Sequence, residues 1–213
     1  MARRPHPQPR WRRRKDARPA EIVAAAVATF AERGFAAAKL DEIAARAGIT
    51  RGTLYLYFKS KEDLFKAAVR ELMVPALEKR AGAATPPASA AEALERFVTT
   101  VPRTMDNENV AAIPKLVIAE AHNFPDLARF YFKEVPSRAR ALIKDAIERG
   151  VASGEFRDVN VDHAFFCAVA PVFMALLWRN VFGRFDKSAP DLEKLCRTHL
   201  DILLHGLEGR RAP

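Results

Sequence analysis

The sequence predicts an all-α protein, with an N-terminal three-helix unit that carries a helix-turn-helix and a larger helical domain behind it. Apolar residues recur at intervals of three and four over most of the 213 residues, while strand-like alternation fails almost everywhere. Gly and Pro punctuate these runs, and Ser, Thr, Asn or Asp stands where several of them begin. About half of the residues are apolar (49%), enough for one or two cores.

Residues 1–18, MARRPHPQPRWRRRKDAR, hold three prolines and no apolar periodicity, and are expected to form a disordered basic arm. The formal charge of +9 is concentrated there: eight Arg or Lys against one Asp place +7 in the arm and +2 in the other 195 residues. A basic tail on a nearly neutral body suggests local contact with a polyanion rather than a nonspecific coat. On that reading Arg12, Arg13 and Arg14 follow phosphates or enter a minor groove. A solubilising tail is the alternative.

Residues 19–66 form the next unit. Pro19 is expected to open the first helix, where its missing N–H costs little, and Ile22, Ala26 and Phe30 share one face until Gly34. Leu40, Ile43, Ala44 and Ala47 repeat the pattern up to Gly48, which can take the positive φ of a tight turn. Thr50 is placed to cap a helix over Arg51–Phe58 in which Leu54 and Phe58 face inward. That leaves Arg51, Thr53, Tyr55, Leu56 and Tyr57 around the remaining surface. Two Tyr and a Leu exposed on so short a helix suit an element inserted into a DNA groove. The two short helices are a helix-turn-helix candidate. Ser60 caps a fourth helix, with Asp63 three residues on and Lys61 near the DNA backbone.

These residues resemble the tetracycline-repressor (TetR) family of bacterial regulators. The resemblance runs through AERGFAAAKLDEIAARAGITRGTLYLYFKSKEDLF, about a fifth of the chain, and LVIAEAHNFPDLARFYFKE (116–134) is similar to a stretch of many members' regulatory domains. It implies a ligand-responsive dimeric repressor that binds double-stranded operator DNA. Thr50, Tyr55, Tyr57 and Lys61 would then grip backbone oxygens while Arg51, Thr53 and Leu56 meet base edges. Where the family usually has Thr or Ser before the second helix this chain has Ala38 and Lys39, so a cap and a phosphate-contacting hydroxyl are missing and Lys39 would supply a charge instead.

Residues 67–213 make the regulatory and dimerisation domain. The fourth helix is expected to run on through Leu72 to about Leu77, kinked or ended at Pro75. A linker follows over 82–89, then a helix capped by Ser89 and Glu92, a helix over 109–122, and a long helix from Asp126 to about Gly150 bent at Pro136. A loop to Val159 precedes two strongly apolar helices, 161–182 and 191–207. The apolar residues of the first encircle it, so the pair is expected to join its copy in a four-helix seam and make a homodimer; the centre of a monomeric domain is the alternative.

Met73, Phe97, Met105, Leu116, Phe132, Phe166 and Phe173 supply soft and aromatic volume, with Glu120, Asn123 and Tyr131 as polar neighbours. An apolar cavity with a few polar anchors would hold a small apolar or amphipathic effector. The same residues also read as ordinary core, and Glu120 as half of a structural salt bridge.

No other chemistry stands out. The histidines form no HExxH, Cys196 and His199 at a spacing of three are a weak metal pair, and no phosphate-cradling glycine loop or nucleophile context is present. No cofactor, metal or catalysis is expected. Two cysteines in apolar patterns fit a reducing cytoplasm. The apolar run 164–178 is 15 residues long, short for a membrane span, and the basic N-terminus lacks the apolar segment of a signal peptide. The competing function is a ligand-independent or architectural dimeric DNA-binding protein, which a filled core would favour.

Overall fold

The computed structural model describes residues 10–81, 86–188 and 191–208, with residues 10–18 and 79–81 as backbone only. Eleven α-helices and one π turn are present among them: α1 (Arg10–Arg33), α2 (Leu40–Arg46), α3 (Arg51–Tyr55), α4 (Lys61–Ala68), the π turn Val69–Met73, α5 (Val74–Ala81), α6 (Ala90–Met105), α7 (Glu108–Glu120), α8 (Pro125–Glu134), α9 (Pro136–Ser153), α10 (Val161–Phe182) and α11 (Leu192–Leu207).

The head, α1–α3, closes on Ile22, Phe30, Phe35, Ile43 and Leu54, all at most 1% exposed. Its core runs without a break through Leu64 and Phe65 of α4 into Met73, Val98 and Ile113 of the body. α1 lies against α2, α4 and α7, so one helix touches both the helix-turn-helix elements and the body. A second core gathers Leu94, Ile143, Ile147, Phe156, Phe165, Leu203 and Leu207 at the far end, where α6, α9, α10 and α11 meet.

Caps fix several starts. Ser60 accepts from the Asp63 N–H while Asp63 accepts from the Lys59 N–H. Ser89 accepts from the Glu92 N–H and Glu92 reaches back to that of Ala88. α6 has a further partner, because the Glu155 carboxylate accepts from the N–H groups of Ala90 and Ala91, 2.8 Å each. An anion at a helix N-terminus also meets the positive end of its dipole.

Four expectations need correction. The backbone of residues 10–18 is helical and Pro19 lies inside α1 rather than at its start. Missing apolar periodicity argues against packing, not against helix, and Arg, Lys and Ala are good helix formers that extend an existing helix readily. Residues 1–9 of the expected arm lie outside the described residues, as does 82–85 of the expected linker. The fourth helix does not simply kink at Pro75: a π turn precedes it, with the Val74 N–H bonded to the Val69 carbonyl. That widened turn accommodates a residue with no N–H to continue the ladder. The helix expected from Asp126 to Gly150 is two helices, α8 and α9, that meet at Val135, whose backbone before Pro136 is distorted (φ −118°, ψ −71°) but still right-handed. Finally, α9 runs past Gly150 to Ser153 and ends on Gly154 at φ +76°.

α10 is the one helix among the described residues long and apolar enough to cross a membrane by length and composition. It packs against α6, α9 and α11, and leaves Phe166, Met174 and Phe182 exposed.

Gly150 shows how tightly the second core is built. A methyl group there would lie 2.2 Å from the Phe156 ring, which is 3% exposed and cannot swing away. Ala is favoured over Gly inside a helix by about 1 kcal/mol, whereas overpacking costs about 1–3 kcal/mol, so the clash should win. Gly150→Ala is expected to lower the denaturation midpoint followed by circular dichroism; an unchanged or raised midpoint would contradict this packing.

Candidate functional site

Two sites emerge, one on the head and one inside the body. On the head, Gly48 takes φ +66° and lets the chain reverse between α2 and α3, with the Ile49 N–H bonded to the Ala44 carbonyl. Thr50 caps α3 by accepting from the Thr53 N–H at 3.2 Å, and the two hydroxyls lie 2.9 Å apart. Leu54 is fully buried and anchors the helix from below. α3 ends at Tyr55, so Leu56 and Tyr57 stand in the turn after it, with the Tyr57 and Phe58 N–H groups bonded to the Leu54 carbonyl.

The exposed face differs in detail from the sequence reading. Leu56 is 82% exposed and Tyr55 42%, while Tyr57 is half-buried against the core. Arg51 is already partnered: Nη1 donates to Asp41 and Nη2 to the Tyr55 hydroxyl, 3.1 Å each, with the guanidinium 5.4 Å from the Tyr55 ring. Its fork is thereby held in one orientation on the surface. Lys39 is exposed at the start of α2 and makes no capping bond; Asp41 and Glu42 in the first turn complement that helix end instead. Lys61 folds back onto the α1–α2 turn, donating to the Phe35 and Ala36 carbonyls at 2.8 and 2.9 Å. Two of its three N–H groups are thereby engaged with the head's own backbone. Of Arg12, Arg13 and Arg14 only the backbone is described, within α1.

Inside the body lies a cavity of about 330 Å³, walled by α6, α7, α10, the π turn and the α8–α9 junction. Met73, Phe97, Met105, Tyr131 and Phe173 are on its wall. Its lining is almost wholly apolar, and burial pushes the Tyr131 phenol above the ordinary tyrosine range. The Tyr131 hydroxyl therefore stays protonated, as a donor without a partner among the described residues.

The other expected lining residues are elsewhere. Leu116 and Glu120 line a crevice between α7 and the head, and Asn123 is exposed with its amide on Glu120 at 3.3 Å. Phe132, 57% exposed, is on the outer surface of α8, and Phe166, 59% exposed, is on the open side of α10. Sequence reading missed Lys115 and Asn180, the other polar groups on the cavity wall. The signal for Lys115 was available, since Ala111, Pro114, Lys115 and Ile118 form one helical stripe and all four line the cavity. Cys196 is buried, which pushes its thiol pKa up, and His199 is bound through Nε2 to the Ala168 carbonyl at 2.9 Å. The exposed apolar tip gives a clean test of the head: Leu56→Glu should change stability by no more than about 0.5 kcal/mol yet abolish binding to duplex DNA. Retained binding would remove Leu56 from the interface.

A model of the bacterial regulatory proteins of the TetR family matches residues 22–68, and one of the C-terminal domain of AefR-like transcriptional repressors matches residues 92–203. The HTH-type transcriptional repressor KstR2 of Rhodococcus jostii is 30% identical over 207 residues, covering 91% of this chain and 92% of that protein. Among solved structures, the regulator FadR from Bacillus subtilis in complex with stearoyl-CoA superposes with a TM-score of 0.76 at 24% identity, covering 89% of this chain and 99% of that one. The ketosteroid regulator KstR2 of Mycobacterium tuberculosis does so with a TM-score of 0.70 at 24% identity, covering 91% and 96%. With both parts of the chain matched and a relative aligned over nearly its full length, the protein belongs to the TetR family of bacterial transcriptional regulators.

Proposed function

We propose that the protein is a homodimeric repressor released from its operator by a small lipophilic effector that enters the cavity behind Met73. The observation that carries this is the cavity's position. Its wall includes the π turn that continues α4, and α4 begins at Lys61, capped by Ser60, shortly after the segment that closes the DNA-facing helix. A ligand there would bear on an element that supports the head. It would act only through its different affinity for the DNA-competent and DNA-incompetent arrangements. An open cavity also speaks against a purely architectural DNA binder, for which a filled core would serve better.

The chemistry of the wall narrows the effector. A volume of 330 Å³ sits at the small end of ligand pockets, which span about 300–1,000 Å³. An apolar body would fill the space among Met73, Phe97 and Met105, and a hydrogen-bond acceptor would meet the Tyr131 hydroxyl. An anionic or strongly polar end would lie toward Lys115, which is exposed at the α7 side. The stearoyl-CoA bound to the Bacillus subtilis relative is an amphipath of this general kind.

At the DNA, Arg51, Thr53 and Leu56 are assigned to base edges, and Thr50, Tyr55, Tyr57 and Lys39 to the backbone, with Arg12, Arg13 and Arg14 adding charge from the first turns of α1. Lys61 is reassigned to holding the head together. Dimerisation is assigned to α10 and α11, whose exposed Phe166, Met174 and Ile202 would be covered by a second copy. That arrangement presents two recognition helices to successive major grooves.

Two measurements test this. Phe166→Glu places a charge that is solvated in the monomer but buried and unpaired in the dimer, so sedimentation at micromolar concentration should find a folded monomer where the unmodified protein is a dimer. A monomeric unmodified protein would refute the assembly. Selection from random duplex DNA should yield a symmetric site, and a bound lipophilic effector should weaken that site by about five- to 150-fold. Stearoyl-CoA is the first probe; a panel in which every well-bound amphipath leaves the affinity unchanged would sink the regulated reading.

A further inference from the structure

We infer that Glu120 and Lys61 are paired positioning residues, holding the α1–α2 turn between two opposite charges and transmitting the state of the cavity to the recognition helix through α7. The inference rests on the regulated reading for its biological role, but its geometry stands alone. Glu120 Oε1 accepts from the Phe35 N–H at 3.0 Å and the Ala36 N–H at 3.3 Å. Lys61 Nζ donates to the carbonyls of the same two residues at 2.8 and 2.9 Å. All four backbone polar groups of Phe35 and Ala36 are thus held by two side chains, a carboxylate from the body and an ammonium from α4. The turn's own dipole points along this line, N–H groups toward the anion and carbonyls toward the cation.

Three further contacts fix the arrangement. Asn123 donates to the other carboxylate oxygen, Oε2, at 3.3 Å, which sets the rotation of Glu120. The Lys61 ammonium lies 5.0 Å from the centre of the Phe35 ring. Gly34 has φ +78°, and a methyl group there would come within 3.2 Å of Glu120 Oε1, so the carboxylate's approach depends on a glycine.

α7 carries the signal because its two faces serve different sites. Ala111, Pro114, Lys115 and Ile118 line the cavity, whereas Leu116, Val117 and Glu120 face the head. A ligand that displaces the first stripe rotates or shifts the second, and a carboxylate moved by an ångström loses both N–H bonds. The recognition helix then loses the fixed turn from which α2 starts. This route is separate from that through Met73 and the π turn, and it places the sensing step on charge-assisted hydrogen bonds rather than on packing alone.

The test uses the full chain and fills the cavity from α7 itself. Ala111→Phe serves as the occupant, with Ile118→Trp at the half-exposed rim as a second filler should the first fail to fold. Amide hydrogen exchange at Phe35 and Ala36 should accelerate about tenfold or more in the filled variants, while exchange across 22–30 stays slow. In a Glu120→Ala background the same two amides exchange fast already, and filling adds nothing further. Glu120→Gln keeps an acceptor oxygen and should restore part of the protection. On the selected duplex, filling should weaken binding five- to 150-fold in the otherwise unmodified chain and less than about twofold with Glu120→Ala. A residue that merely stabilises the fold would lower affinity when removed yet leave that response intact. The inference is overturned if filling leaves Phe35 and Ala36 protected, or if its effect on exchange persists undiminished without Glu120. If no duplex is selected, the repressor reading fails while the exchange arm still decides the clamp.

Discussion

Phe35 has to be buried, and its backbone cannot be satisfied by the turn that carries it. Its ring is wholly enclosed, 5.1 Å from that of Phe30, 6.2 Å from that of Phe65 and 4.8 Å from that of Phe124. Those partners come from α1, α4 and the α7–α8 connection, so one aromatic cluster ties the head to the body. The N–H and carbonyl of Phe35, beside that enclosed ring, would cost up to about 1–3 kcal/mol for each group left unsatisfied, whereas Ala36 is exposed. Glu120 and Lys61 remove that cost from opposite sides, and the orientation of the head on the body follows from where those two side chains are rooted. The head is therefore no bead on a string: the core beneath the recognition helix is the same core that reaches the cavity.

The body shows the opposite tendency, toward incomplete packing. Met73, Val98 and Val172 are buried yet border empty space, and Tyr131 holds a hydroxyl among apolar neighbours. Unfilled volume and an unsatisfied donor both lower stability, and they coincide beside a π turn, an irregularity frequent at functional sites. The far core has no such slack, with Gly150 and Phe156 in close contact and Glu155 clasping the start of α6. The loosely and tightly packed regions share α6, α9 and α10, so the cavity is bounded on one side by a region that resists deformation. On the other side lie α7 and the π turn, the elements that lead to the head.

Much of this was legible in the residues. The helix-turn-helix follows from local signals, Gly48 for the turn, Thr50 for the cap and Leu54 for the anchor, which act within a few residues of one another. α10 and α11 follow from their apolar patterns, and Asn160 and Asp191 cap their starts. What was not legible depends on distant partners or on direction. Glu120 reads as a cavity anchor until its partner 85 residues earlier is known. Lys61 reads as a phosphate contact because nothing local shows that it folds back onto Phe35. Phe132 and Phe166 have the composition of cavity residues but lie on the outward side of their helices, a matter of rotation that aromatic content does not encode. The helical backbone of residues 10–18 and the break at Val135 were missed because periodicity reports packing and a proline reports only that a bend is due, not whether the helix survives it.

The proposal that an occupant of the cavity releases the operator implies that the two heads of a dimer change their separation, which is open to one direct measurement. A spin label at position 31, exposed on α1 and outside the assigned DNA contacts, would report the head-to-head distance in the dimer once the exposed Cys167 is replaced by Ser. On the selected duplex that distance should take one value, fixed by recognition segments set about 34–36 Å apart in successive major grooves. Addition of a bound amphipath, stearoyl-CoA first, should shift that distance or broaden its distribution away from this value while the dimer persists. An unchanged distance at saturating ligand, with operator affinity also unchanged, would contradict the account.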